Sequence, residues 1–476
     1  MVNRHMSVRP SSTLSVSPGA RVVSVLAATL LLSIAVIQSA EATAGAQEWV
    51  SRLAGPGYSP DGDAKITVSP DGSRVFVAAT SDDPSGSKIR TVAYDASTGS
   101  QVWAAHFSGK GALDVAAAIG ASPDGTTVFV VGTSGYLGSL DYVTLAYNSA
   151  SGTRVWKRRF SSPLGISRDE AAALGVSPDG SAVFVTGAAD GGPTESDYLT
   201  VAYDASTGQR RWTARHAGPY REDAQTLSVS PDGSAVFVSG YTVLTGTGLD
   251  ILTVGYDAAT GTELWKSRFD GPIRRDDQAN AMGVGPNGAT VYVTGFSDGF
   301  HGDRPHSDRD FITLAYATAT GTQRWARRYN GPGDSNDNAK AMAVSSDGSG
   351  IFVTGYRGAH DGGRDFETIA YSPKGSRTWL RAYNGPADSD DQPTAIGVSP
   401  DGKQVFVTGF QRPLGLYRDY ATLAYRAGSG AGLWSAVYDA SPYEEPAALA
   451  VAPDGSRVYV TGLSGTDFTT VAYSAG

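Results

Sequence analysis

The sequence predicts an all-β chain, an eight-bladed β-propeller of four-stranded antiparallel blades, on three markers that each recur eight times. A tryptophan stands at Trp49, Trp103, Trp156, Trp212, Trp265, Trp325, Trp379 and Trp434, at intervals of 53 to 60 residues. A turn of the S-P-D-G kind carries Gly72, Gly125, Gly180, Gly233, Gly288, Gly348, Gly402 and Gly455, and a T-[VLI]-[AG]-Y run ends at Tyr94, Tyr147, Tyr203, Tyr256, Tyr316, Tyr371, Tyr425 and Tyr473. Four short strands in each unit of about 55 residues fit a propeller blade; a β-helix coil is shorter, and helical solenoids lack the alternation.

Within a unit the first strand varies around A-[IML]-G-V-[SG], as in Ala395 to Ser399, and its small side chains suit the crowded innermost position of a ring. The P-D-G turn follows, its glycine supplying the positive φ of a tight hairpin. The second strand, V-[FY]-V-[TS]-G as in Val405 to Gly409, is the β-branched and aromatic run of a strand buried on both faces. A loop of variable length leads to the third strand, D-[YF]-x-T-x-A-Y as in Asp197 to Tyr203, and a D-A-x-T-G turn to the fourth, which bears the tryptophan. The strand around Trp49 precedes any complete unit, and the last third strand, Asp467 to Tyr473, has no fourth strand after it. The N-terminal strand is therefore expected to complete the last blade and close the ring, removing an open sheet edge.

Residues 1–44 read as a secretory signal. Arg4, Arg9 and Arg21 precede an apolar run from Val22 to Gln38, and Ala42-Thr43-Ala44 forms an A-x-A site. Secretion with a mature start at Gly45 is expected, leaving residues 45–476 as one propeller domain without a membrane span; an uncleaved anchor is the alternative. Of the formal charge of −9, the first 44 residues hold three arginines against Glu41, a net +2, so the remainder carries −11. So acidic a body repels a phosphate backbone and excludes nucleic acid as a partner. With no cysteine, stability must come from packing instead of disulfides.

Ala93-Tyr94-Asp95-Ala96-Ser97-Thr98-Gly99 followed by Trp103, and residues 202–212 likewise, resemble the A-x-D-x-x-T-G-x-x-x-W tryptophan-docking motif of quinoprotein-like (PQQ-like) propellers. Together with the second and third strands, the unit is also similar to the bacterial SBBP repeat, a family without one shared activity. The resemblance covers residues 45–476 and implies eight blades, with each tryptophan packed between neighbours as a structural residue. Asn148 and Ala317 replace the motif's aspartate, and the copy around Gly375 is one residue short. Many quinoprotein dehydrogenases carry an adjacent-cysteine pair beside the quinone, and here there is none, so PQQ is not expected and no cofactor is required.

Acidic residues precede nearly every first strand: Asp63, Asp114, Asp169, Asp223, Asp277, Asp337, Asp391 and Glu445. Their recurrence favours side chains that accept backbone N–H groups at a loop end. The other reading is a carboxylate ring that binds a cation, with Asp277, Asp337 and Asp391 as candidate ligands. The aspartates opening the third strands, from Asp141 to Asp467, are expected to behave alike. D-S-N-D-N from Asp334 and D-S-D-D from Asp388 leave calcium open, without the glycine and distal glutamate of an EF-hand. No H-E-x-x-H or P-loop occurs.

Repeat-specific residues concentrate in the second-to-third-strand loops of blades five to seven: His301, Arg304 and His306, then His360 and Arg364, then Arg412. In an acidic body such a cluster suits an anion, for which arginine offers a planar fork. Histidine would reinforce the attraction below about pH 6.5 or, when neutral, hold a transition metal. The expected function is non-catalytic: a monomeric secreted or cell-surface propeller that binds an extracellular protein, glycan or small anion through its loop face. The alternative is a secreted enzyme, either a quinoprotein-like oxidoreductase or a polysaccharide hydrolase or lyase.

Overall fold

The computed structural model describes residues 43–53, 64–136, 138–162, 168–192, 195–246, 248–299, 308–332, 335–358, 363–413 and 417–476. These form 32 strands in eight four-stranded antiparallel sheets and no helix. Seven sheets are sequential in the chain. In the eighth, Gln47–Leu53 pairs with Asp467–Ser474, Trp49 opposite Ala472 and Leu53 opposite Phe468, so the ring closes through the N-terminal strand as the sequence predicts.

The closure reconstructs a turn that every other blade makes covalently. In the first blade the D-A-x-T-G turn places Gly99 N–H on the Asp95 carbonyl at 2.9 Å; in the last, Gly45 N–H donates to the Ser474 carbonyl at 2.8 Å. Gly45 has φ +77°, and a Cβ there would lie 2.9 Å from the Trp434 ring, just as Gly99 at φ +71° is pressed against Trp49. Only glycine meets both demands.

Each tryptophan fastens its blade to the next. The Nε1–H of Trp212 donates to the Ala258 carbonyl at 2.9 Å, and the other seven rings make the same bond to the equivalent turn. Trp103 packs between Phe76 of its own blade and Tyr147 of the next, a pattern repeated around the ring. The hydrophobic core accordingly lies between blades: one cluster joins Phe184, Tyr198 and Trp212 of the third blade to Val236, Val238 and Val254 of the fourth.

Where the second strand carries a threonine before its glycine, it pairs inside the sheet with the threonine of the third strand. Thr186 and Thr200, Thr354 and Thr368, and Thr408 and Thr422 face each other at 3.0 to 3.1 Å, fully buried. Such pairs satisfy hydroxyls that would otherwise be costly to bury.

The sequence pattern did not reveal a bulge in the first strands. In blades two to eight the register against the second strand shifts by one residue, at Ala117, Ala172, Gln225, Asn280, Lys340, Thr394 and Ala447. A bulge releases one residue from pairing and re-aims its side chain. A pocket of about 400 Å³ is lined by Lys65, Ala117, Ala172 and Gln225 from four successive innermost strands, which places these residues at the mouth of the axial channel.

Candidate functional site

The bulge also decides which acid occupies each loop-face position. Counting back two residues from the paired small residue gives Asp114, Asp169, Glu222, Asp277, Asp337, Asp391 and Glu444. In the fourth and eighth blades the repeating position therefore belongs to Glu222 and Glu444, and the sequence assignment to Asp223 and Glu445 is corrected. Two acids stand side by side there, and only the register separates them. Asp223 accepts hydrogen bonds from Ser196, Arg221 and Tyr241, while Glu445 accepts them from Arg418 and Tyr443. Asp63 lies outside the described residues.

These carboxylates hold the loop face together. Asp337 accepts the N–H of Gly331 and, at 3.0 Å, that of Gly358; Asp391 accepts those of Gly385 and, at 2.8 Å, Arg412. Asp169 takes Ser162 N–H at 2.7 Å and Asp190 N–H at 3.0 Å. Each side chain thus ties the loop entering its own first strand to the loop leaving its second. Burial pushes Asp277 up to about 7 and Asp337 and Asp391 up to about 6, against which the donated N–H bonds pull down.

Asp277, Asp337 and Asp391 thus sit in separate blades, each serving its own loops. Asp277 has closer acidic neighbours: it, Asp250 and Asp270 bring carboxylate oxygens within 4.8 Å of one another. Arg268 spans two of them, 2.9 Å from Asp250 and 3.0 Å from Asp270, and neutralises part of that charge within the protein.

The third-strand aspartates have partners the sequence reading did not name. Asp141, Asp197, Asp250 and Asp310 each pair with the arginine 18 residues later, Arg159, Arg215, Arg268 and Arg328, on the adjacent fourth strand. Asp365 reaches Arg357 at 3.0 Å on the second strand.

Of the residues assigned to the loop face, His301, Arg304, His306 and His360 lie outside the described residues. Arg364 lies over the Tyr356 ring, 4.6 Å from its centroid, with Asp390 at 3.6 Å. Arg412 serves through its backbone: its N–H supports Asp391 and its carbonyl accepts from Ser389. The sequence reading missed the stacked partners of Arg364. Arg309 lies 4.0 Å above Phe296, Arg418 4.2 Å above Phe410, and Lys340 5.5 Å from Tyr356. Blades five to seven therefore each set an arginine on the aromatic residue of the second strand. Lys340, the bulge residue of blade six, keeps an exposed surface yet is crowded by the protein around its ammonium, and that desolvation, followed by Arg309 and Arg364, lowers its pKa. Comparing each repeat position across the eight copies is the signal that finds it, since Ala or a polar amide stands there in most blades.

The family model described as outer membrane protein assembly factor BamB matches residues 35–248 and 195–461. No curated protein sequence matches the chain. Among solved structures, Sqt1 from Chaetomium thermophilum, bound to the N-terminus of the ribosomal protein L10, is similar at 13% identity and TM-score 0.58, covering 90% of this chain and 100% of that one. The C-terminal WD40 domain of Sif2 is similar at 11% identity and TM-score 0.56, over 90% and 99% of the two chains. Quinohemoprotein alcohol dehydrogenase from Comamonas testosteroni is similar at 13% identity and TM-score 0.52, over 90% and 76%. At these identities the solved structures speak for the fold alone. The sequence match spans nearly the whole ring, and with eight four-stranded blades docked by tryptophan it shows that the chain belongs to the PQQ-like β-propeller family of the outer membrane protein assembly factor BamB model.

Proposed function

We propose that this protein is a secreted or cell-surface propeller that binds an extracellular partner without catalysis, gripping an anionic group at the loop face of blades five to seven. The carrying observation is the basic group Arg309, Lys340 and Arg364, in which Lys340 feels both arginines and pairs with no carboxylate among the described residues. The ammonium stands beside two guanidinium groups whose own carboxylates are distant, Asp298 at 3.9 Å and Asp390 at 3.6 Å, so a ligand anion would meet three cations there. Contact with the Phe296 and Tyr356 rings holds the two guanidinium groups in place in advance, which lowers the entropy lost on binding. The shared residues of the repeat are absorbed in holding blades and loops, which leaves recognition to those that differ between blades. The solved complex of Sqt1 with the N-terminus of the ribosomal protein L10 gives a precedent, on a similar ring, for binding a protein terminus.

A sulfated-glycan and acidic-peptide array probed with the protein tests this reading. Lys340→Ala with Arg364→Ala is expected to weaken capture of the anionic ligand about tenfold or more, with little change in melting temperature and with affinity that falls as salt rises. An anionic ligand whose affinity ignores both substitutions would place the site elsewhere. Secretion is tested separately: intact-mass measurement of protein from the culture medium is expected to give a chain beginning at Gly45, and recovery of only the full-length, membrane-bound form would overturn it.

A further inference from the structure

Blade seven breaks the pairing rule of the third-strand aspartates. In blades two to five the aspartate is met by an arginine 18 residues later, and that arginine pairs in register with the third strand: Arg159 opposite Val143, Arg215 opposite Leu199, Arg268 opposite Leu252, Arg328 opposite Ile312. The same place in blade seven, opposite Ala421, holds Val437, half of whose surface is exposed. The second-strand position that supplies Arg357 to Asp365 in blade six is Gln411 here, opposite Asp419. Asp419 is therefore 5% exposed with a neutral amide for a partner and no cation paired to it among the described residues. Arg418, next in sequence, is committed elsewhere, to Glu445 at 2.5 Å and to the faces of Phe410 and Tyr443.

Where the arginine is absent there is space. A pocket of about 390 Å³ opens between blades seven and eight, and Asp419 lines it together with Asp439, Tyr417, Pro413, Ser441 and Pro442. Asp439 adds a second carboxylate, close enough to raise the pKa of Asp419 after the larger effect of burial. Tyr417 stands 54% exposed at the wall, offering an aromatic face of the kind on which Arg309, Arg364 and Arg418 already lie. We infer that this pocket is a socket for a guanidinium group supplied by a ligand, which takes the place that an internal arginine takes in blades two to five. The carboxylates would hold the fork of N–H donors and Tyr417 the flat face, a combination that suits arginine better than lysine. The socket is independent of the basic group of blades five and six, and the two stand or fall separately.

The test is calorimetric titration of the protein with the peptide acetyl-Gly-Arg-Gly-amide, against the same peptide carrying citrulline, its neutral isostere, or lysine. The arginine peptide is expected to bind, citrulline about tenfold or more weakly, and lysine between them. Asp419→Asn should weaken the arginine peptide about tenfold. Val437→Arg restores the internal partner, so it should abolish peptide binding and raise the melting temperature, a gain that a misfolded variant could not show. Equal binding of arginine and citrulline peptides, no binding of the arginine peptide at roughly 10 mM, or unchanged binding by Val437→Arg would each overturn the assignment.

Discussion

A chain lacking residues 45–53 is expected to melt more than about 10 °C below the intact propeller, or to aggregate on expression. The deletion removes the fourth strand of the last blade and with it Trp49, which is 8% exposed, bonded to the Ala96 carbonyl at 3.0 Å and packed against Tyr94 and Tyr459. Losing one such aromatic side chain costs about 3–5 kcal/mol. Here the loss also uncovers the hydrogen-bonding edge of Asp467–Ser474 and removes Gly45 from the face of Trp434. Two blade junctions fail together, and an exposed edge strand invites pairing with another chain. Thermal melting and size-exclusion chromatography of the deletion check this. A melting temperature equal to that of the intact chain would mean that the ring does not depend on its closure.

The second large effect is on pH. Burial holds Asp277, Glu367 and Glu444 up to about 7, and Asp337 and Asp391 up to about 6, whereas in an unfolded chain they titrate near 4. Because the folded form binds these protons more tightly, their contribution to stability is fully present below about pH 4 and is lost as pH rises through 6 and 7. Asp71, Asp179, Asp232 and Asp401 act in the opposite sense. Serine hydroxyls and backbone N–H groups of the exposed turns lower them to about 2, so their contribution is present above about pH 4 and lost toward pH 2. Stability should therefore peak near pH 5 and decline to pH 8, with a fall in melting temperature of roughly 5 °C or more over that range. Glu367→Gln with Asp337→Asn should flatten the slope. Calorimetry at pH 5 and pH 8 decides: a melting temperature that rises toward pH 8 would contradict these assignments.

The architecture was legible because each feature that builds it is written eight times. A tryptophan that must reach the next blade, and a turn glycine that must lie beneath a ring, cannot drift far without loosening a junction. Position within a strand was less legible. Asp223 and Glu445 were mistaken for Glu222 and Glu444 because the bulge consumes one residue, and no alternation rule registers a residue that pairs with nothing. The ion pairs of the third-strand aspartates were missed for a different reason: their arginines stand 18 residues away, across a strand pair whose register the sequence does not print. Lys340, Glu367 and Val437 were legible in principle. Each breaks its repeat column, and Glu367, fully buried beside Arg357 and Tyr329, stands where the other described blades carry mainly apolar residues.

The bulge in the innermost strands of blades two to eight gives this ring a set of addresses. In blades two to eight one residue is released from the pairing ladder of that strand, so its side chain is less constrained than those of its neighbours. Ala117, Ala172, Gln225, Asn280, Lys340, Thr394 and Ala447 range from a methyl group to an ammonium on strands otherwise alike. A library varying those seven positions should yield mostly folded proteins that differ in what their axis attracts. In such a scaffold a new ligand can be acquired by substitution alone, with no loop lengthened and no blade repacked.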